Sequence, residues 1–210
     1  SWKKEQQGFK MLRYWELNDF VRAAMNVSAD SPLVANLVGY WDLRDAATKM
    51  RRDYSGNEYH LSNPQSLGGQ TGSRGTLFDG TDDYLAIAAG SSALLRPAID
   101  TALTIAGSVK FIAAANSSLT YPVCGIWDGD APSQGWLINR RPTSSGGELS
   151  FTYSADGSAT THLLGEVATI GTWLHFMARY DGANNKIFVN GVEDTAAYTG
   201  DIYRPAAVPF

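Results

Sequence analysis

The chain has 210 residues, with 17 Lys and Arg against 21 Asp and Glu, for a net charge of -4. That mild acidity argues against a general nucleic-acid binder, which needs a basic surface to displace counterions. A single cysteine, Cys124, excludes an intrachain disulfide, and no apolar run approaches the ~20 residues that cross a bilayer as a helix.

In chain order, the first 30 residues differ from all that follow. The run "MLRYWELNDFVRAAMN" sets Met11, Tyr14, Leu17, Val21, Ala24 and Met25 at spacings of three and four, with Trp15 and Phe20 widening the stripe. That spacing predicts an amphipathic α-helix. Asn26 and the polar "SADSP" then stop it and form a linker. A lone helix of this length is marginal in water. Its apolar face, Tyr14, Trp15, Leu17 and Val21 included, must therefore be buried, either on the same chain or as a docking segment on a partner.

From Leu33 the pattern changes to period two, broken by Gly and Asp turns about every eight to twelve residues. "LVGYWDL" (37–43) reads as a strand, "RRDYSGNEYHL" carries a Ser-Gly-Asn turn, and "TLFDGTDDYLAIA" reads as strand, Asp-Gly turn, strand. "LTIAGSVKF" (103–111) sets Leu103, Ile105, Val109 and Phe111 on one face and Thr104, Ser108 and Lys110 on the other. "YPVCGIW" and "GWLINR" flank an Asp-Gly-Asp loop, "GELSFTYS" ends at Asp156-Gly157, and "TWLHFMARY" leads to "RYDGANNKIFVNGVE". In that last run Asn190-Gly191 is a strong hairpin signal, because both residues accept positive φ and match the strand twist. Ile187 and Val189 fall on one side of its strand, Lys186 and Phe188 on the other. Many short strands joined by such turns predict an all-β, two-sheet antiparallel sandwich over residues 31–210, preceded by the helix and linker of 1–30.

The ordered set "LVGYWDL … DYSGNEYHL … LFDGTDDYL … LTIAGSVKF … TWLHFMARYDG…KIFVNGVE" resembles the laminin-G-like jelly-roll domains of the concanavalin A-like lectin/glucanase superfamily. The resemblance covers about Leu33 to Gly200 and implies two antiparallel sheets, one of them concave. Such domains close with further strands after the "VNG" hairpin, whereas this sequence ends at "RPAAVPF". The expectation is a trimmed piece of a longer protein, or a partner that supplies the closing strand.

Candidate chemistry is sparse. The superfamily's glucanases use Glu-x-Asp-x-x-Glu on one strand, which places paired carboxylates on one sheet face. This chain has no such triplet; Glu148, Glu166 and Glu193 stand apart. His60, His162 and His175 form no metal-ligand pair. His175 reads as a hydrogen-bonded strand residue. The glycine-rich "GGQTGSRG" lacks the ending of a phosphate loop. Asp53 and Asn57 in "DYSGN", with Asp79 and Asp82 in "FDGTDD", offer the loop oxygens a hard cation wants, and the resemblance implies one structural calcium there. The bland alternative is that these residues make turns. Trp127 and Trp136 flank "WDGDAPSQGW"; with Asp128, Asp130 and Gln134 they are a candidate glycan-contact loop, since an aromatic face stacks on a sugar and polar neighbours bond its hydroxyls. The alternative is ordinary core tryptophan.

The functional expectation is a non-catalytic, carbohydrate- or protein-binding module at a cell or particle surface, hence extracellular or on a virion. A structural subunit of a capsid, tail, decoration or bacterial surface layer is the alternative. A glycoside hydrolase or lyase is the third.

Overall fold

The computed structural model describes residues 37–44, 52–62, 71–72, 75–80, 83–87, 102–112, 119–127, 134–198 and 202–203. The expected N-terminal helix, its docking residues Tyr14, Trp15, Leu17 and Val21, and the terminal segment 204–210 lie outside them. The chain divides into two compact units, residues 1–60 with 71–75 and residues 61–70 with 76–210.

In the first unit, the expected strand at 37–43 appears only as an isolated bridge, Trp41 to Asp53. The reason lies in where the polar groups go. Asp53 is buried, and its two oxygens accept from the Tyr40 and Ser55 amides at 3.0 and 2.8 Å, the Ser55 hydroxyl at 2.7 Å and the Tyr59 amide at 3.0 Å. The Trp41 indole N–H donates to the Tyr59 carbonyl at 2.8 Å. Asn57 gives its side-chain amide to the Leu37 and Val38 carbonyls at 2.9 and 3.0 Å. Side chains thus satisfy backbone groups that a ladder would otherwise pair, as Asp and Asn do in turns. Gly56 takes φ +94° in the Ser-Gly-Asn turn.

The second unit is a sandwich. Before its strands in the chain come β1 (Thr71–Gly72), which belongs to the first unit, and β2 (Gly75–Thr76), two residues each, and within the second unit Ser62 bridges Ala86. The body is built from β3 (Leu103–Lys110), β4 (Tyr121–Trp127), β5 (Gln134–Arg140), β6 (Glu148–Ser154), β7 (Thr160–Val167), β8 (Trp173–Tyr180), β9 (Asn184–Val189) and β10 (Val192–Ala197). One antiparallel sheet runs β10-β9-β8-β3 and the other β4-β5-β6-β7. The element β7, "TTHLLGEV", is a strand that the alternation did not reveal, because His162, Leu164 and Glu166 share one face without a clean apolar-polar rhythm.

Registers decide what faces inward. In one sheet Trp136 lies opposite Tyr153, Ile138 opposite Phe151, and Phe151 opposite Leu163. In the other, Ile105 lies opposite Ala178 and Gly107 opposite Phe176, while Phe176 meets Val189 and Ala178 meets Ile187 across β8 and β9. These side chains form one core, with Ile138, Leu149, Phe151, Ala178, Ile187 and Val189 fully buried. Burying each large apolar side chain contributes about 1.5–3 kcal/mol. Where β7 packs beside β9 and β10, Gly165 makes room: a Cβ there would lie 2.7 Å from Val189 Cγ2 and 3.2 Å from the Leu149 carbonyl.

The Asn190-Gly191 hairpin forms as its sequence predicts. Asn190 has φ +50° and Gly191 φ +90°, joining β9 to β10 through two residues. Ile187 and Val189 are buried, and Lys186 and Phe188 lie on the opposite, half-buried face.

Candidate functional site

The outer face of the β10-β9-β8-β3 sheet turns away from the core and carries exposed side chains. Its residues follow from register. Lys110 stands opposite Trp173, Ser108 opposite His175, Ala106 opposite Met177 and Thr104 opposite Arg179. Across β8 and β9, Met177 meets Phe188 and Arg179 meets Lys186; across β9 and β10, Phe188 meets Glu193 and Lys186 meets Thr195. Trp173 is 36% exposed, and Lys110, His175, Arg179, Glu193 and Thr195 are exposed as well.

The polar groups on this face are held in place. Ser108 Oγ lies 2.8 Å from His175 Nδ1. The His175 backbone N–H donates to Asn190 Oδ1 at 3.0 Å, and its carbonyl accepts the Asn190 N–H at 2.8 Å. Lys186 Nζ and Thr195 Oγ1 both reach Glu193 Oε1 at 2.6 Å. Those two contacts hold the Glu193 carboxyl below its ordinary range. Arg179 lies 3.8 Å from Asp181. The Asp181 carboxyl is likewise lowered, first by the Asn184 and Ala183 amides that it caps and then by Arg179. A serine beside a histidine is one element of nucleophilic sites, but here the two form one rung of an open, water-washed ladder. The arrangement offers fixed donors and acceptors around an exposed indole and a Met177–Phe188 ridge. That suits contact with an extended polar ligand.

The opposite sheet carries a second polar array on the face turned from the core. Thr152 Oγ1 donates to Asn139 Oδ1 at 2.7 Å, Ser150 Oγ reaches the same oxygen at 3.1 Å, and His162 Nδ1 lies 2.8 Å from Thr152 Oγ1. Asn139, Ser150 and Thr152 are buried. With the Thr152 proton committed to Asn139, the His162 ring donates from Nδ1. Partial burial, and then the Arg141 charge, lower the His162 pKa and favour its neutral form.

The sequence-predicted residues fall as follows. Trp136 is 2% exposed and belongs to the core; the open ring face that stacking on a sugar needs is absent there, because its strand β5 is central and the register turns the indole inward. Trp127, at the end of β4, and Gln134, opening β5, are half-buried and paired. Asp128 and Asp130 between them lie outside the described residues, as does Asp82. Asp53 and Asn57 belong to the first unit and Asp79 to the second. Burial raises the Asp53 pKa most strongly, but the hydrogen bonds from Tyr40, Ser55 and Tyr59 together outweigh it and hold the carboxyl below 3.8. A cation there would compete with four donors already in place. The Asp79 amide donates to Asp83 Oδ2 at 3.0 Å, a turn contact. Among the described residues no group of three His, Cys, Asp or Glu gathers as metal ligands, and no helix is long and apolar enough to cross a membrane. Burial pushes the Cys124 thiol up to about 12, so it stays protonated and unreactive.

Sequence reasoning placed His175 and Ser108 on strands without joining them, and it passed over Lys110, Trp173, Met177, Arg179 and Phe188 as a surface. Alternation identifies which residues share a face within one strand, but the rungs depend on the pairing of β3 with β8, 67 residues apart at Ser108 and His175. No protein-family model matches the chain, and no curated protein matches it.

Proposed function

We propose that this chain is a non-catalytic recognition module of laminin-G-like, jelly-roll type that binds a glycan at a cell or particle surface. The contact surface in this reading is the outer face of the β10-β9-β8-β3 sheet. The observation that carries it is the register-built row Lys110–Trp173, Ser108–His175–Asn190 and Arg179–Lys186. It sets an exposed indole beside side chains whose hydrogen-bonding atoms are already oriented, which cuts the ordering cost of binding.

Four of the described carboxylates fit the non-catalytic part. Asp53, Asp156, Asp181 and Glu193 are all lowered. A glycosidase needs the opposite, a carboxyl raised toward neutral pH to act as general acid. Asp156 shows the pattern: the Ala159 and Ser158 amides, each at 2.8 Å from its Oδ1, dominate its shift, and it serves the β6–β7 turn.

Binding to a panel of immobilised glycans tests the reading. A Trp173→Ala variant that folds normally and loses the binding supports it. Release of sugar from a polysaccharide panel contradicts the non-catalytic assignment, and selective capture of a protein with no glycan binding contradicts the choice of ligand.

A further inference from the structure

We propose that Asn190 is a modification site: the folded protein loses the Asn190 side-chain amide spontaneously, and the product remodels the β9–β10 turn. The sequence contains one Asn-Gly pair, Asn190-Gly191. Three structural observations single it out. Asn190 is exposed at the turn, with φ +50°. Gly191 has no side chain to hinder attack by its nitrogen, and a Cβ built there meets nothing within 4 Å. The His175 N–H donates to Asn190 Oδ1 at 3.0 Å, the atom on which negative charge grows as Cγ is attacked. A fixed backbone N–H at a developing oxyanion stabilises that charge.

The reaction balances with water as its only co-reactant. The Gly191 nitrogen attacks Asn190 Cγ and an N–Cγ bond forms. The Cγ–Nδ2 bond breaks, and the amide nitrogen leaves as ammonia with the proton from Gly191. Water then opens the five-membered imide at one of its two carbonyls, giving aspartate or isoaspartate. Nothing is oxidised or reduced. Aspartate keeps the backbone and the acceptor for His175. Isoaspartate inserts an extra backbone carbon into a two-residue turn whose geometry sets the β9–β10 register, and it moves the oxygen that holds the His175 amide.

The other described asparagines differ. Asn139 and Asn185 are buried, Asn57 has its amide bonded to two carbonyls, and Asn184 lies within β9 and is followed by Asn185.

The test incubates the folded 210-residue chain in mildly alkaline buffer and follows each asparagine by peptide mass mapping with isoaspartate detection. The expected result is a gain of one dalton, part of it as isoaspartate, in the Val189–Val192 peptide before any other asparagine changes. An Asn190→Asp variant should then show no such gain. An Asn190 that keeps its amide in the folded chain, or that changes only after another asparagine has, overturns the proposal, whatever the urea-unfolded chain does. This readout does not depend on ligand binding, so it stands or falls apart from the recognition reading.

Discussion

Asn190 and His175 exchange two hydrogen bonds where the β8–β9 pairing ends. The Asn190 N–H donates to the His175 carbonyl at 2.8 Å, and the His175 N–H donates to Asn190 Oδ1 at 3.0 Å. The side chain of a turn residue thus supplies the last rung of the ladder. It explains why asparagine stands there: the residue must accept φ +50° and also offer an acceptor.

That double role separates two substitutions. Asn190→Gly keeps the backbone conformation and loses one hydrogen bond, at a cost of about 1 kcal/mol. Asn190→Val adds the steric cost of a left-handed β-branched residue, about 1–2 kcal/mol more. Urea unfolding of the two variants should rank them in that order.

Asp53 makes a larger claim on its surroundings. Asp53→Ala leaves the part-buried Tyr40, Ser55 and Tyr59 amides without their acceptor, and each costs a part of the about 1–3 kcal/mol of a fully buried orphan. Asp53→Asn retains one oxygen and should cost less. Amide hydrogen exchange at Tyr40, Ser55 and Tyr59 reads the loss locally, and both variants should exchange faster there, Ala more than Asn.

The same residue sets a pH dependence. Its folded pKa lies below its unfolded value of 3.8. A depressed carboxyl contributes stability that is fully present above the unfolded pKa and is lost as pH falls through the folded one. Exchange protection of those three amides should hold from neutral pH down to about 4 and then fall as acid titrates Asp53. In Asp53→Asn the acid-dependent loss at these amides should disappear.

Gly165 tests the packing between sheets. Gly165→Ala puts a methyl 2.7 Å from Val189 Cγ2, with the Leu149 carbonyl behind it. Overpacking of this kind costs about 1–3 kcal/mol, so the midpoint of urea unfolding should drop. Gly182→Ala, where a Cβ meets nothing within 4 Å, should show only the cost of its positive φ.

Much of the sandwich was legible in the sequence because its strands alternate and its turns carry their signals. Leu103, Ile105 and Val109 pack toward the core as their spacing implies, and the Asn190-Gly191 turn formed where two φ-tolerant residues met. The segment 37–43 misled because its apolar residues resemble a strand, while Asp53, 13 residues from Tyr40, takes the amide that a ladder would use. The proposed contact surface was the least legible part. Lys110 and Trp173 become neighbours only through the β3–β8 register, and Trp136, equally aromatic, points the other way on a central strand. Local pattern fixes a face within one strand, but not which strands will share it.

The most direct test of the proposed contact surface is glycan-panel binding by three folded proteins: the unaltered chain, Trp173→Ala and Lys110→Glu. Lys110 is exposed, so Lys110→Glu should unfold within about 0.5 kcal/mol of the unaltered chain; Trp173 is 36% exposed, so Trp173→Ala should cost more while keeping the fold, which circular dichroism checks. The account predicts at least one glycan ligand for the unaltered chain and a loss of about tenfold or more in affinity in each variant, equivalent to at least 1.4 kcal/mol. Binding that is unchanged in both variants, or no binding to any glycan, would contradict it.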